Sequence, residues 1–132
     1  MAKEEWRKWD PNPHLPKKLE LNSLTYNSKG FILDFSDSNF RVKVHFEEIM
    51  SFKATDEGKL LSTIQRIYSE YSEYYLDWVF FKIDNSKFIE WFHQENYEMY
   101  TDFNIEHYLF KTPNDVIEVL SNIPPSIIVD KK

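Results

Sequence analysis

Phe31, Leu33 and Phe35 alternate with polar or smaller neighbours. After a polar turn at Ser36–Asn39 the alternation resumes, with Phe40, Val42, Val44 and Phe46 set against Arg41, Lys43 and His45. Period two in aromatic and β-branched residues predicts strands with one buried face, and the short polar turn joins them as an antiparallel hairpin. Leu19, Leu21, Leu24 and Tyr26 predict an earlier strand over Lys18–Tyr26. Asn27–Gly30 is a turn in which Gly30 is free to take positive φ. Ile49–Thr55 reads as a fourth strand, and four sequential strands with short turns form a meander.

From Lys59 the period changes. Leu60, Ile64, Ile67, Tyr71 and Tyr74 are spaced 4, 3, 4, 3, the stripe of an amphipathic helix, with Leu61, Tyr68 and Tyr75 widening it. The helix is expected to hold from Lys59 to Ile67. Trp78–Asp84 reads as a strand buried on both faces. Asn85-Ser86 offers an N-cap for a helix over Lys87–Asn96. Tyr97–Asn104 is polar, aromatic and irregular, hence a loop, and Ile105–Lys111 alternates as another strand. Thr112-Pro113-Asn114-Asp115 has the form of a capping box with proline at the first helical position, so a helix is expected to about Asn122. Pro124-Pro125 stops it, and Ile127–Val129 makes a last short strand. At the other end Pro11, Pro13 and Pro16 exclude a helix. Residues 1–16 are expected as at most a helical turn over Glu4–Lys8 followed by an extended arm. Trp6 and Trp9, on one side of it, would dock the arm on the body or on another chain.

The predicted class is therefore α+β: an antiparallel β-meander sheet with two or three helices packed on one face, in a single domain spanning residues 1–132. With 17% aromatic residues, core material is not limiting. The chain has no cysteine, which excludes a disulfide, a thiolate metal site and a Cys nucleophile. The N-terminal MAKEEWRKWD lacks an apolar signal region, and the longest apolar run, Trp78–Phe81, is too short for a membrane span. Cytoplasmic residence away from membranes is the expectation. A formal charge of −6 disfavours nucleic acid as a partner and suits a basic protein.

Chemical motifs are sparse. With glycine only at positions 30 and 58, a Gly-rich phosphate loop and the Ser elbow G-x-S-x-G are ruled out, and no S-x-x-K or H-E-x-x-H occurs. Glu47-Glu48 and Asp56-Glu57 are poor acid/base dyads, because neighbouring residues on a strand point to opposite faces. A metal site from His93 and His107 with an acid is conceivable, but scattered half-buried histidines are the more ordinary reading. No catalytic, cofactor or metal residue is assigned. The candidate partner surface is Tyr68, Glu70, Tyr71, Glu73, Tyr74 and Asp77, where tyrosines supply rigid contact area and acids suit a basic partner. The ordinary reading is that these tyrosines cap the core with their hydroxyls in water. A candidate pocket between sheet and helices would be lined by Asp56, Trp91, His93 and His107.

Trp78, the Asn85-Ser86 pair before Trp91-Phe92, His107-Tyr108, Thr112–Asp115, Pro124-Pro125 and the phrase FKATDEG (Phe52–Gly58) together cover roughly residues 40–125. In these motifs the chain resembles small uncharacterised cytosolic proteins of Gram-positive bacteria, some of which sit beside secreted toxins and look like immunity proteins. The resemblance implies a binding protein that neutralises a toxin domain and transfers no functional residue. The alternatives are a small ligand-binding domain or enzyme, and a structural subunit that forms a homodimer.

Overall fold

In the computed structural model, which describes residues 3–71 and 77–132, the alternating runs pair as two antiparallel sheets rather than one meander. The first contains β2 (Glu20–Asn27), β3 (Gly30–Ser36), β4 (Phe40–Phe46) and β9 (Ser126–Lys131), in the order β2-β3-β4-β9. The second contains β1 (Glu5–Lys8), β6 (Phe80–Asp84), β7 (Glu106–Lys111), β8 (Asp115–Ser121) and β5 (Ser51–Asp56), in the order β1-β6-β7-β8-β5. Two helices, α1 (Leu61–Glu70) and α2 (Lys87–Glu95), complete the described elements; a single 3₁₀ turn over Glu57–Lys59 leads into α1. The α+β class holds, and both helices lie on one face, the outer face of the five-stranded sheet.

The period-two reading of β3 and β4 is realised except at Phe40, which is half-buried: Phe31, Leu33, Phe35, Val42, Val44 and Phe46 are completely buried. Their rings meet those of the other sheet, Phe35 against Phe80 at 5.7 Å and Phe46 against Tyr108 at 5.2 Å. With Phe110, Ile117 and Val119 they form the core between the sheets. Gly30 adopts φ +116°, and a Cβ there would stand 2.4 Å from the Phe46 carbonyl oxygen, so both the turn and the close approach require glycine.

The meander breaks at β5, which crosses to the second sheet and pairs with β8, Phe52 opposite Val119. The free edge of β4 is taken instead by β9, with Ile127 opposite Val44 and Val129 opposite Val42. β9 brings Ile127 and Val129 to the core between the sheets, and β5 brings Phe52 to the same core from the other sheet, while Ala54 is exposed.

The helix expected after Thr112 is also corrected: Asp115–Ser121 is strand β8. The Thr112 hydroxyl accepts from the Asp115 amide at 3.1 Å, the same hydroxyl-to-third-amide bond that would start a helix, but here it closes the hairpin between β7 and β8. Val116, Ile117 and Val119 favour a strand, and β8 is covered on both faces, so its apolar residues on either side of Glu118 imitate a helical stripe.

The N-terminal arm is a strand rather than a helical turn. β1 pairs with β6, Trp6 opposite Ile83. Trp6 and Trp9 do not share a side: an odd separation along an extended chain sends them to opposite faces. Trp6 packs on Phe81 at 5.2 Å on the outer face, and Trp9 on Tyr108 at 5.1 Å on the inner one. Helix α1 continues past Ile67, its one buried residue, while Leu61 and Tyr68 stay exposed and do not widen the buried stripe. Among the described residues no helix is long and apolar enough to cross a membrane.

Candidate functional site

Two of the residues nominated as a partner surface, Glu70 and Tyr71, contact the N-terminal segment. Glu70 pairs with Lys3 and, at 3.1 Å, with Arg66. Its carboxyl is held below the ordinary value, chiefly by the hydrogen bond from Lys3. The Tyr71 hydroxyl accepts from the Trp6 amide at 3.3 Å. Asp77 pairs with Lys18 at 3.6 Å, and Tyr68 is exposed on α1. Glu73 and Tyr74 lie outside the described residues.

The four nominated pocket residues are dispersed. Asp56 caps the 3₁₀ turn, accepting from the Gly58 amide at 2.7 Å. Trp91 borders a hollow of about 370 Å³ with Lys53, Lys87 and Phe88. His93 lies on α2, its Nδ1 buried without a hydrogen-bond partner among the described residues. His107 lies beneath α2, with the Phe88 ring edge-on at 5.5 Å, and lines separate hollows on either side of itself. Among the described residues no group of His, Asp and Glu is arranged to hold a metal ion.

Two arrangements emerge that the sequence reading did not assemble. The first is a buried polar chain. Ser86 caps α2, accepting from the Ile89 amide at 3.0 Å, and its Oγ lies 2.6 Å from Nδ1 of His107. Nε2 of His107 lies 2.9 Å from Oε1 of Glu118, and Lys53 stands 3.8 Å from the other carboxylate oxygen. Burial pushes the Glu118 carboxyl up, but the hydrogen bond from His107 and the charge of Lys53 outweigh it, so the net shift is below the ordinary value. An ionised carboxylate only accepts, so Nε2 carries a proton, and in the neutral ring Nδ1 accepts from the Ser86 hydroxyl.

The second is a surface. From Phe88 to Phe110 there is no lysine or arginine, while Glu90, Glu95, Glu98, Asp102 and Glu106 contribute five acids. Over α2 and the loop behind it Trp91 is 49% exposed, Tyr97 89%, Met99 74% and Phe103 45%. Glu90, Glu95, Glu98 and Asp102 are exposed among them. Tyr97 (φ 52°) and Glu98 (φ 64°) are consecutive left-handed residues. They close the helix end, with the Glu98 amide donating to the His93 carbonyl at 2.8 Å. Non-glycine residues in this conformation cost about 1–2 kcal/mol each. The return is a fixed loop, anchored where Tyr100 packs on Phe92 at 5.5 Å, that holds Tyr97 outward. The signal available in the sequence was the 23-residue absence of positive charge among acids and aromatics.

Comparison with protein-family models, curated proteins and solved structures yields no match.

Proposed function

We propose that the chain is a protein-binding domain that holds a basic partner on the face formed by α2 and residues 97–103, in the manner of an immunity protein masking a toxin domain. The observation that carries this reading is the concentration of exposed Trp91, Tyr97, Met99 and Phe103 among four exposed acids, with Lys53 and Lys87 at the Trp91 edge of the face. Large aromatics supply contact area at low entropic cost, and their fixed loop removes part of the ordering cost of binding. The acids steer a cationic partner and speed encounter at low salt. The same charge opposes a homodimer through this face, because a two-fold axis would set acids against acids.

The test asks whether a gene beside this one encodes a toxin-like domain and, with that domain, whether the pair associates. Co-expression is expected to rescue growth, and the purified pair to associate more slowly as salt rises. A Trp91→Ala/Tyr97→Ala double variant is expected to weaken binding at least about tenfold, as loss of central aromatic anchors does. Full-affinity binding by that folded variant, or no binding by the wild-type protein, sinks the reading.

A further inference from the structure

The buried chain from Ser86 to Glu118 has the parts of an activated nucleophile. β6 ends at Asp84, Asn85 turns through φ 56°, and Ser86 opens α2. This places a serine on a sharp strand-to-helix turn, with a left-handed residue immediately before it. A base within hydrogen-bond reach, itself oriented by a third group, is the general requirement for nucleophilic serine chemistry. Here Nδ1 of His107 is 2.6 Å from Oγ, and Glu118 is 2.9 Å from Nε2. Either imidazole nitrogen can take the proton, provided the other is held by an acceptor. Capping does not consume the serine. One oxygen lone pair accepts from the Ile89 amide and the hydroxyl proton goes to His107, leaving a second lone pair to attack.

Ser86 and His107 both line a hollow of about 200 Å³, with Ile83, Ile89 and Ile105 as its apolar lining and Arg7, Lys82, Asp84 and Glu106 as its charged lining. The cations at its rim are occupied, Arg7 by Asp84 at 3.2 Å and Lys82 by Glu106 at 3.2 Å. A neutral, short acyl group therefore fits better than a charged one. Of the first-turn amides of α2, that of Lys87 donates to Glu4 and that of Ile89 to Ser86. The Phe88 amide has no hydrogen-bond partner among the described residues.

We propose that Ser86, His107 and Glu118 form an acyl-transfer site for small neutral esters, with Ser86 as nucleophile, His107 as general base and Glu118 as the positioning residue. The Ser86 Oγ–acyl carbon bond forms while the hydroxyl proton passes to Nδ1 of His107. The ester C–O bond then breaks, and the departing alkoxide takes that proton from Nδ1. Water, deprotonated by His107, attacks the acyl-serine and releases the acid, restoring the hydroxyl. The imidazolium formed in each half is stabilised by Glu118.

The experiment incubates the intact protein with an alkyl fluorophosphonate, which bonds to a nucleophilic oxygen as fluoride leaves, and locates the adduct by peptide mass. Turnover of p-nitrophenyl acetate is followed in parallel. The adduct is expected on Ser86, with a rate that rises with pH along one ionisation and then levels. Ser86→Asn keeps an N-cap acceptor without a nucleophile and is expected to lose labelling and turnover with its fold intact. His107→Gln is expected to lose about 10²–10⁴-fold and the pH dependence with it. Glu118→Gln is expected to lose about tenfold and to displace the pH profile. Absence of an adduct on Ser86 in the wild-type protein overturns the proposal, as does turnover retained by Ser86→Asn. Neither readout requires a protein partner, so this site stands or falls separately from the binding face.

Discussion

The two faces of the five-stranded sheet are built from the same strands and covered in different ways. Its inner face presents Phe80, Tyr108, Phe110, Ile117 and Val119 to a second sheet that covers it broadly. Its outer face presents Phe81, Leu109, Val116, His107 and Glu118 to α1 and α2, helices of ten and nine residues. Each helix buries a strip: α1 through Ile67 over Phe81 and Leu109, and α2 through Phe88 and Phe92 over Leu120 and Ile105. A sheet against a sheet leaves little room for a polar group, because an unpartnered one costs kilocalories in an apolar layer. Two separated helices leave a gap, and there the protein places paired polar side chains beside hollows. The incomplete cover, rather than the well-filled core, is where chemistry is available.

The largest expected effect lies on the inner face. Phe110→Ala deletes a fully buried ring that touches Phe35, Phe46 and Phe80, and should cost about 3–5 kcal/mol in denaturant unfolding. Its neighbour on the outer face gives the contrast. Leu109→Ala should cost about 2–3 kcal/mol, because a short helix can settle into the space more readily than a sheet can. Equal losses at the two positions would remove the distinction between a fixed and a yielding cover.

Next in size is Gly30→Ala, which disturbs the hairpin that sets the register of the inner face. Positive φ and the approach to the Phe46 carbonyl should together cost about 1–3 kcal/mol, read from the same unfolding curves. A wild-type midpoint would show that the turn repacks freely.

The outer face should show its polar character in acid. The Glu118 carboxyl is lowered in the folded state, so its contribution is present above its unfolded value, ordinarily 4.5, and is lost as pH falls below that through the folded value. Glu118→Gln should therefore be less stable than wild type near neutrality, by about 1–3 kcal/mol. The two should converge as urea midpoints are followed below pH 4.5. Parallel curves across that range would detach Glu118 from the acid limb. The smallest effect is expected at the half-exposed Trp91, where replacement by Ala should change stability by no more than about 0.5 kcal/mol while weakening partner binding.

Much of this arrangement follows from short-range rules. Alternation marks β3 and β4, the bulky run Phe80-Phe81 announces a strand covered on both faces, and Ser86 followed by Phe88, Ile89 and Phe92 announces α2. The candidate site was less legible. His107 was nominated, but its partners lie 21 residues before it and 11 after it, and Ser86 read as a cap alone. Trp91 and His107 were both singled out for one pocket, yet Phe88 sits against each of them, 5.8 Å from Trp91 and 5.5 Å from His107.

By itself, then, the sequence determined which segments alternate, where Gly30 must turn the chain, and that α2 begins at Ser86. Each depends on side-chain period or on a hydrogen bond spanning a few residues. Only the tertiary structure decided that β5 leaves the first sheet, that β9 takes its edge, and that Thr112 closes a hairpin instead of starting a helix. Those outcomes turn on competition between distant strands for the same buried surface. The hydroxyl of Thr112 makes the same local bond in either case, so the cover on both faces of β8 selects the strand.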